Sequence, residues 1–485
     1  MKRVLVVVAL CAAACTSPNP RSCVDGTCTD PAFPFCDVDG SFFGEEKTCY
    51  PVTCTPEEHF DCRGDTSYFC NAAGNDLEQR QCANGCDNAV GGCIPAKRCS
   101  MNADCANPTP FCEAQECRAC RADDECESTV CDRDTGACVA GAAILYASPT
   151  GADAGNCTLA GPCTTSRAIT AAGTSGLGKL VRMLPGSYSE PLLIQGNTIV
   201  KIVATGATLS TSTNDLELLR VIGGATAEIR GLTAETSATT GGIITCGDQS
   251  PAVAKSSLTF VDGHLKKTGA ASNVRVFRCN LRIARTRIES SAAAINVGTD
   301  ATVDADRLHI SPAPRGPYSM TRITSLGERM SVRVTNSLFE DAYLSNLGSD
   351  TVAPGSNVFA AFNTFLFVNQ GVTMVCESNS YIRQEVYENN IFFAQGNGYA
   401  NVVYQPNGCT FRNNIIHPQP SIIVNNRDMD PKFVDFAAGN YKLQADSPAI
   451  DTAVPSAELS TTHDHDGVMR PQGAGYDIGA FERSP

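Results

Sequence analysis

Tryptophan is absent from the 485 residues, and histidine (six) and methionine (eight) are scarce. Without Trp, any flat sugar-stacking platform would depend on Tyr and Phe. Past the first fifteen residues no apolar run is long enough to cross a bilayer, which takes about 20 residues. Helix signals are sparse too, and Ser166 to Ala172 is the best short candidate. Basic residues are outnumbered, 37 Lys and Arg against 51 Asp and Glu, giving a formal charge of −14. That balance suggests solubility and excludes a nucleic-acid role. The acidity is local: residues 16–140 hold 22 acidic and 9 basic side chains, whereas 141–485 hold 29 and 26.

What is plentiful is cysteine. Of 26, eighteen lie between Cys23 and Cys138 and six beyond, both even numbers, as an oxidising compartment predicts. The other two, Cys11 and Cys15, belong to the first fifteen residues. There Lys2 and Arg3 precede the apolar run Val4 to Leu10, and Ala12-Ala13-Ala14 precede Cys15. This is the pattern of an export signal over residues 1–14. It resembles a bacterial lipoprotein signal, with Ala12 where Leu is usual, and the resemblance implies lipidation at Cys15. The other reading is ordinary Ala-x-Ala cleavage that leaves Cys15 unmodified.

Residues 15–140 offer little for a large core, so disulfides must substitute for apolar burial. Each is worth roughly 3 kcal/mol for loops of ~15 residues. Cys99-x5-Cys105-x6-Cys112-x4-Cys117 is followed by Cys120-x5-Cys126-x4-Cys131-x6-Cys138, a tandem pair. These units resemble the cysteine-rich repeats of secreted proteins from myxobacteria and similar bacteria. Spacing fixes no connectivity. Cys117-x2-Cys120 is the one close pair, with no second pair in zinc-ligand register.

Beyond Gly141 the text changes to Val, Ile, Thr, Ser, Asn and Gly. Short strands read clearly at Leu180 to Leu184, Ile199 to Val203 and Ser257 to Phe260. The phrase apolar-x-Asn-x-apolar recurs around Asn336, Asn363, Asn389 and Asn413, 27, 26 and 24 residues apart. Recurrence at that period means a solenoid, because one turn cannot bury its own core. On strand parity each Asn shares a face with the apolar residues two to either side, so all four are expected inward as a register-setting ladder.

The stretch Leu145 to Asp153, followed by Leu184-Pro185-Gly186-Ser187-Tyr188-Ser189-Glu190, resembles the opening of pectin-lyase-like right-handed parallel β-helix proteins. Asp430-Pro431-Lys432-Phe433, Ser447 to Asp451 and Tyr476 to Glu482 resemble a closing segment common in bacterial surface β-helix proteins. The expected fold is therefore all-β: a right-handed single-stranded parallel β-helix over 141–424, closed by 425–485 and preceded by small disulfide-rich modules. The closing segment is expected to wrap one end of the solenoid. Inward parity and coil spacing predict Cys246–Cys279 and Cys376–Cys409 as staples between turns, with Cys157–Cys163 closing a local loop.

Enzymes of this fold cleave acidic polysaccharides with paired aspartates or with calcium carboxylates and a basic residue, and neither pattern occurs here. Asp304 and Asp306 share a strand face, and Asp306 is expected inward. Asp464, Asp466 and Asp477 are weak calcium candidates, set against carboxylates that pair with Arg470 and cap backbone amides. Residues 262–335 hold twelve basic and six acidic side chains. Parity turns Arg278, Arg282, Arg285 and Arg287 outward, a candidate strip for uronates, sulfates or phosphates. The reading is a non-catalytic, lipid-anchored, monomeric cell-surface or outer-membrane protein that recognises polysaccharide or another polyanion and needs no cofactor. The alternative is a lyase or hydrolase with a divergent site.

Overall fold

The computed structural model describes residues 21–23, 27–38, 40, 42, 45–82, 85–94, 99–174, 180–214, 217–314, 321–325, 329–346, 356–368, 374–375, 384–394, 403–404, 409–418, 425–456 and 461–484. They form two compact units, one of the described residues up to Cys120 with 134–137, the other of 121–133 with the described residues from Cys138 on.

The first unit consists of small antiparallel ribbons, such as Phe35–Asp37 with Thr48–Tyr50 and the three-stranded His59–Arg63, Thr66–Cys70 and Leu77–Gln81. Its apolar cluster is small, built on Phe35, Val52 and Leu77. Interleaved disulfides do the rest. Cys23–Cys36 crosses Cys28–Cys49, and Cys99–Cys112 crosses Cys105–Cys117. Between them lie Cys54–Cys70, Cys62–Cys86 and Cys82–Cys93. This density belongs to exported proteins. No described helix is long and apolar enough to cross a membrane.

The second unit is a parallel β-helix. Each coil contributes a strand to up to three sheets, and every neighbour in a sheet comes from the next coil. The first sheet runs from Ile144–Ala147 through eleven strands to Thr410–Arg412, and the second from Gly186–Tyr188 through ten to Ile415–His417. The third runs from Leu192–Gln195 through seven to Ala342–Asn346. Alternation explains the strands. In Ser256–Val261, Leu258 and Phe260 point into the core while Ser257 and Thr259 point out. Rings stack inside, Phe339 on Phe365 at 4.4 Å between centroids and Phe365 on Phe392 at 4.7 Å. The helix Thr165–Thr174 packs Ala168, Ile169 and Ala172 against the first coils. Cys157 and Cys163, joined by a disulfide, pair with the outer edge of the first strand through Tyr146, which leaves that edge no template for aggregation. Cys246–Cys279 joins adjacent coils, with both cysteines fully buried in the core. Cys376 lies outside the described residues, and Cys409 is disulfide-bonded.

The asparagine ladder exists one register away from the expected place. Where the chain turns from the first sheet to the second, one residue per coil takes a left-handed backbone. These are Asp262, Arg285, Arg307, Asn336, Phe362, Asn389 and Asn413, with φ between 45° and 60°. Asn tolerates that region better than most residues. The left-handed residue breaks strand parity, so the next side chain points inward. The inner row is Ser337, Asn363, Asn390, Asn414 and Asn426. Asn363 donates to Asn390 Oδ1 at 3.0 Å, Asn390 to Asn414 Oδ1 at 3.0 Å, and Asn414 to Asn426 Oδ1 at 2.8 Å. Of the four asparagines expected inward, only Asn363 is in that row.

Asn336, Asn389 and Asn413 face the closing segment instead, bonding Thr461, Val454 and Thr452. That segment does not simply wrap an end. Residues 425–427 add a final rung, and the rest folds back along the side of the last coils. Phe433, Tyr441, Leu443, Ile478 and Phe481 cover the outward side chains Leu338, Leu366, Ile391, Phe393 and Ile415. A buried ion pair holds the strap together: Arg470 meets Glu482 at 2.9 Å with both side chains almost fully buried. Arg470 also donates to the carbonyls of Asp477 and Gly479, and lies over the Phe362 ring.

Candidate recognition face

The four arginines singled out by sequence do not form one strip. Arg278 sits in the turn before the first sheet, bound to Asp300 at 2.9 Å and to the carbonyls of Pro251 and Val253. Arg285 occupies the left-handed corner and grips both oxygens of Asp262. Arg287 lies on the second sheet and bonds Glu289 at 2.7 Å. Arg282 alone stands on the exposed face of the first sheet, with no ion pair to any described residue.

That face has an order the sequence hides. Register places Lys201, Glu228, Thr259, Arg282, Asp304 and Arg333 in one outward column. Lys201 and Glu228 pair at 3.0 Å, while Asp304 and Arg333, like Arg282, join no described partner. Beyond the exposed Ile199, the parallel column, two residues earlier in each strand, reads Thr226, Ser257, Asn280, Thr302, Ser331, Asn357 and Gln384. Each is small or amidic and at least partly exposed. At the ~4.8 Å spacing of neighbouring strands the column runs roughly 29 Å. Asp306 belongs to this outer surface and not to the interior. Val303 and Ala305 take the inward positions, and Asp306 bonds Arg307, Thr335 and Asn336.

The second sheet carries titratable groups at closer quarters. His264 and Arg287 both bond Glu289, and His309 and Tyr441 both bond Glu340. Burial raises the Glu289 pKa, but Arg287 and His264 outweigh it and hold the carboxyl below the usual range. The Asp262 carboxyl is likewise low, because Arg285 outweighs burial. The Asp300 carboxyl is held low by Arg329. The carboxyls raised by burial, Asp477 and Glu482, sit inside the strap with their oxygens on backbone amides and Arg470.

Asp464, Asp466 and Asp477 do not assemble a cation site. Asp464 accepts from the amides of Val468 and Glu482, Asp477 from those of Asp451 and Arg483, and Asp466 pairs with Lys442 at 2.9 Å. Oxygens aimed at N–H donors are not converging on an ion. Among the described residues, the trios of potential ligand atoms within 4.8 Å of one another are all cysteines, and those are disulfide-bonded. Cys117 and Cys120 are among them, so neither is a free thiolate for zinc. Cys15 lies outside the described residues.

No protein-family model matches the chain, and no curated protein matches it in sequence. Among solved structures, the crystal structure of the pectate lyase Pel9A is similar, with a TM-score of 0.40 and 15% identity, covering 70% of this chain and 96% of that chain. The fold and disulfides define the class, a parallel β-helix protein with a disulfide-rich N-terminal region.

Proposed function

We propose that this is an exported, non-catalytic recognition protein whose first-sheet face binds an extended acidic glycan. The observation that carries the reading is the pair of columns on that face. Seven coils each offer a small hydrogen-bonding side chain, beside Arg282 and Arg333, which have no partner of their own. Solvent-facing hydrogen-bonding groups can exchange water for the hydroxyls of a linear polymer at little cost. A guanidinium takes a uronate or sulfate through two parallel bonds. Glycan units running along the stack would meet one coil after another.

The carboxylates favour binding over turnover. A glycosidase acid needs a raised pKa and an open approach. Here Glu289 and Asp262 are held low by their arginine partners, and Asp477 and Glu482, raised by burial, are sealed in the strap. Lipid on Cys15 would hold the protein at the cell surface as a monomer, and mass spectrometry of the exported chain tests the modification.

The experiment is a calorimetric titration of the full chain with alginate, dextran sulfate and neutral dextran, with and without calcium. Salt-sensitive binding of the acidic polymers, reduced at least tenfold by Arg282→Ala/Arg333→Ala, supports the reading. New reducing ends or unsaturated products would end it.

A further inference from the structure

A second feature, on a different sheet, points to another ligand. Ser210, Glu235 and Lys266 stand in one register on successive coils of the second sheet. Beyond them the chain turns away through Thr211 to Thr213, Thr236 to Ser237, and Thr268. Between the sheet face and these turns lies a groove of about 660 Å³, within the ~300–1,000 Å³ range of small-molecule sites. Of its ten described lining residues eight are Ser or Thr, and the other two are Glu235 and Lys266.

Glu235 and Lys266 are direct cross-strand neighbours of opposite charge, yet no ion pair joins them to each other or to any described residue. The carboxylate on the far side of Lys266, Glu289, is already held by Arg287 and His264. The groove thus presents one uncommitted ammonium, one uncommitted carboxylate and a wall of hydroxyls. Its formal charges cancel, so it has no bias toward anions. Its lining supplies both donors and acceptors, which suits a ligand dense in neighbouring hydroxyls. No aromatic ring lines it among the described residues, so affinity must come from hydrogen bonds and not from stacking.

We infer that this groove is a binding site for a short neutral oligosaccharide, separate from the first-sheet face. Glu235 accepts from vicinal hydroxyls, Lys266 donates to a ring or hydroxyl oxygen, and the hydroxyls of Ser210, Ser212 and Ser237 serve either way, while Thr211 and Thr236 are already engaged by the backbone. The inference does not depend on the acidic-glycan reading, because the two surfaces share no residue.

The test is saturation-transfer NMR and calorimetry on the full chain with maltotriose, cellotriose, chitotriose and mannotriose. The inference expects at least one to bind in the millimolar range or tighter, with affinity unchanged in 0.5 M salt. Glu235→Ala and Lys266→Ala should each weaken it tenfold or more, while Arg282→Ala/Arg333→Ala leaves it unchanged. Circular dichroism of each variant checks that the fold is kept, and Glu235→Gln should retain part of the affinity. The inference is overturned if none of the four binds. It is equally overturned if binding survives both single substitutions, or if it collapses in salt.

Discussion

One column of the second sheet changes chemistry along its length. In the early coils its outward positions are Ser210, Glu235, Lys266 and Glu289; in the late coils they are Glu340, whose carboxylate is bonded by Tyr441 of the strap, and then Leu366 and Phe393. The backbone does the same thing at both ends. What differs is cover, because the closing strap lies over the late coils and the early ones face solvent. A strand covered on both faces reads as a continuous apolar run, and a strand covered on one face alternates. Thr364–Phe367 and Ile391–Ala394 are buried throughout, while Thr233–Thr236 alternates. The exposed polar positions of the early coils are therefore surfaces the fold leaves available, and the apolar positions under the strap are already spent on stability.

The largest test of that contrast exchanges residues between the two ends. Leu366→Glu puts an unpaired carboxylate beneath the strap and should cost about 4–5 kcal/mol, read as a lowered denaturation midpoint. Glu235→Leu, the reverse exchange in the open coils, should stay within ~0.5 kcal/mol. Equal effects would mean that cover is not what separates the ends.

Next comes the strap's own lock. Arg470→Ala leaves Glu482 buried without its cation and should cost about 3 kcal/mol. Hydrogen exchange should rise in the strap and the late coils and stay level near Val200 to Val221. Asn390→Ala removes a buried amide that donates to the Ala360 and Glu388 carbonyls and to Asn414. Stranding those acceptors should cost about 2 kcal/mol. Asn389→Ala removes the outer bonds to Val454 and Asn413 and leaves the inner row intact.

The smallest effect is in pH. His465, with Lys442, outweighs burial and holds the Asp466 carboxyl down to about 2. A depressed carboxyl contributes stability that is complete above its unfolded pKa and fades below it. Asp466 therefore adds to strap stability above about pH 4, and that share is lost as pH falls toward 2. Glu289, also held low, makes the same contribution in the early coils. Asp466→Asn should flatten acid unfolding of the strap while leaving the early coils as they were.

Period-two alternation and the recurring asparagines made the solenoid legible, because both are local signals. The ladder's register was misread because one left-handed residue per corner breaks parity, and nothing in a strand pattern announces it. Arg307 and Phe362 hold that position as well as Asn does. The path of the strap was hidden for another reason. Its contacts, such as Asn336 with Thr461 and Thr364 with Ala480, join residues more than a hundred positions apart. The proposed recognition face was half visible. Arg282 was found by parity, but the columns that give it neighbours require the register between coils of unequal length. Asp304 and Arg333 come into line only when the strands are paired.

The most direct test of the account is a length series. The full chain is titrated with alginate oligomers of increasing size, beside the Arg282→Ala/Arg333→Ala variant. Affinity should climb with each added unit and level off once the oligomer spans the roughly 29 Å of the exposed columns. The variant should lose at least tenfold at every length, with its melting temperature unchanged. Affinity independent of length, or untouched by the double substitution, would contradict it.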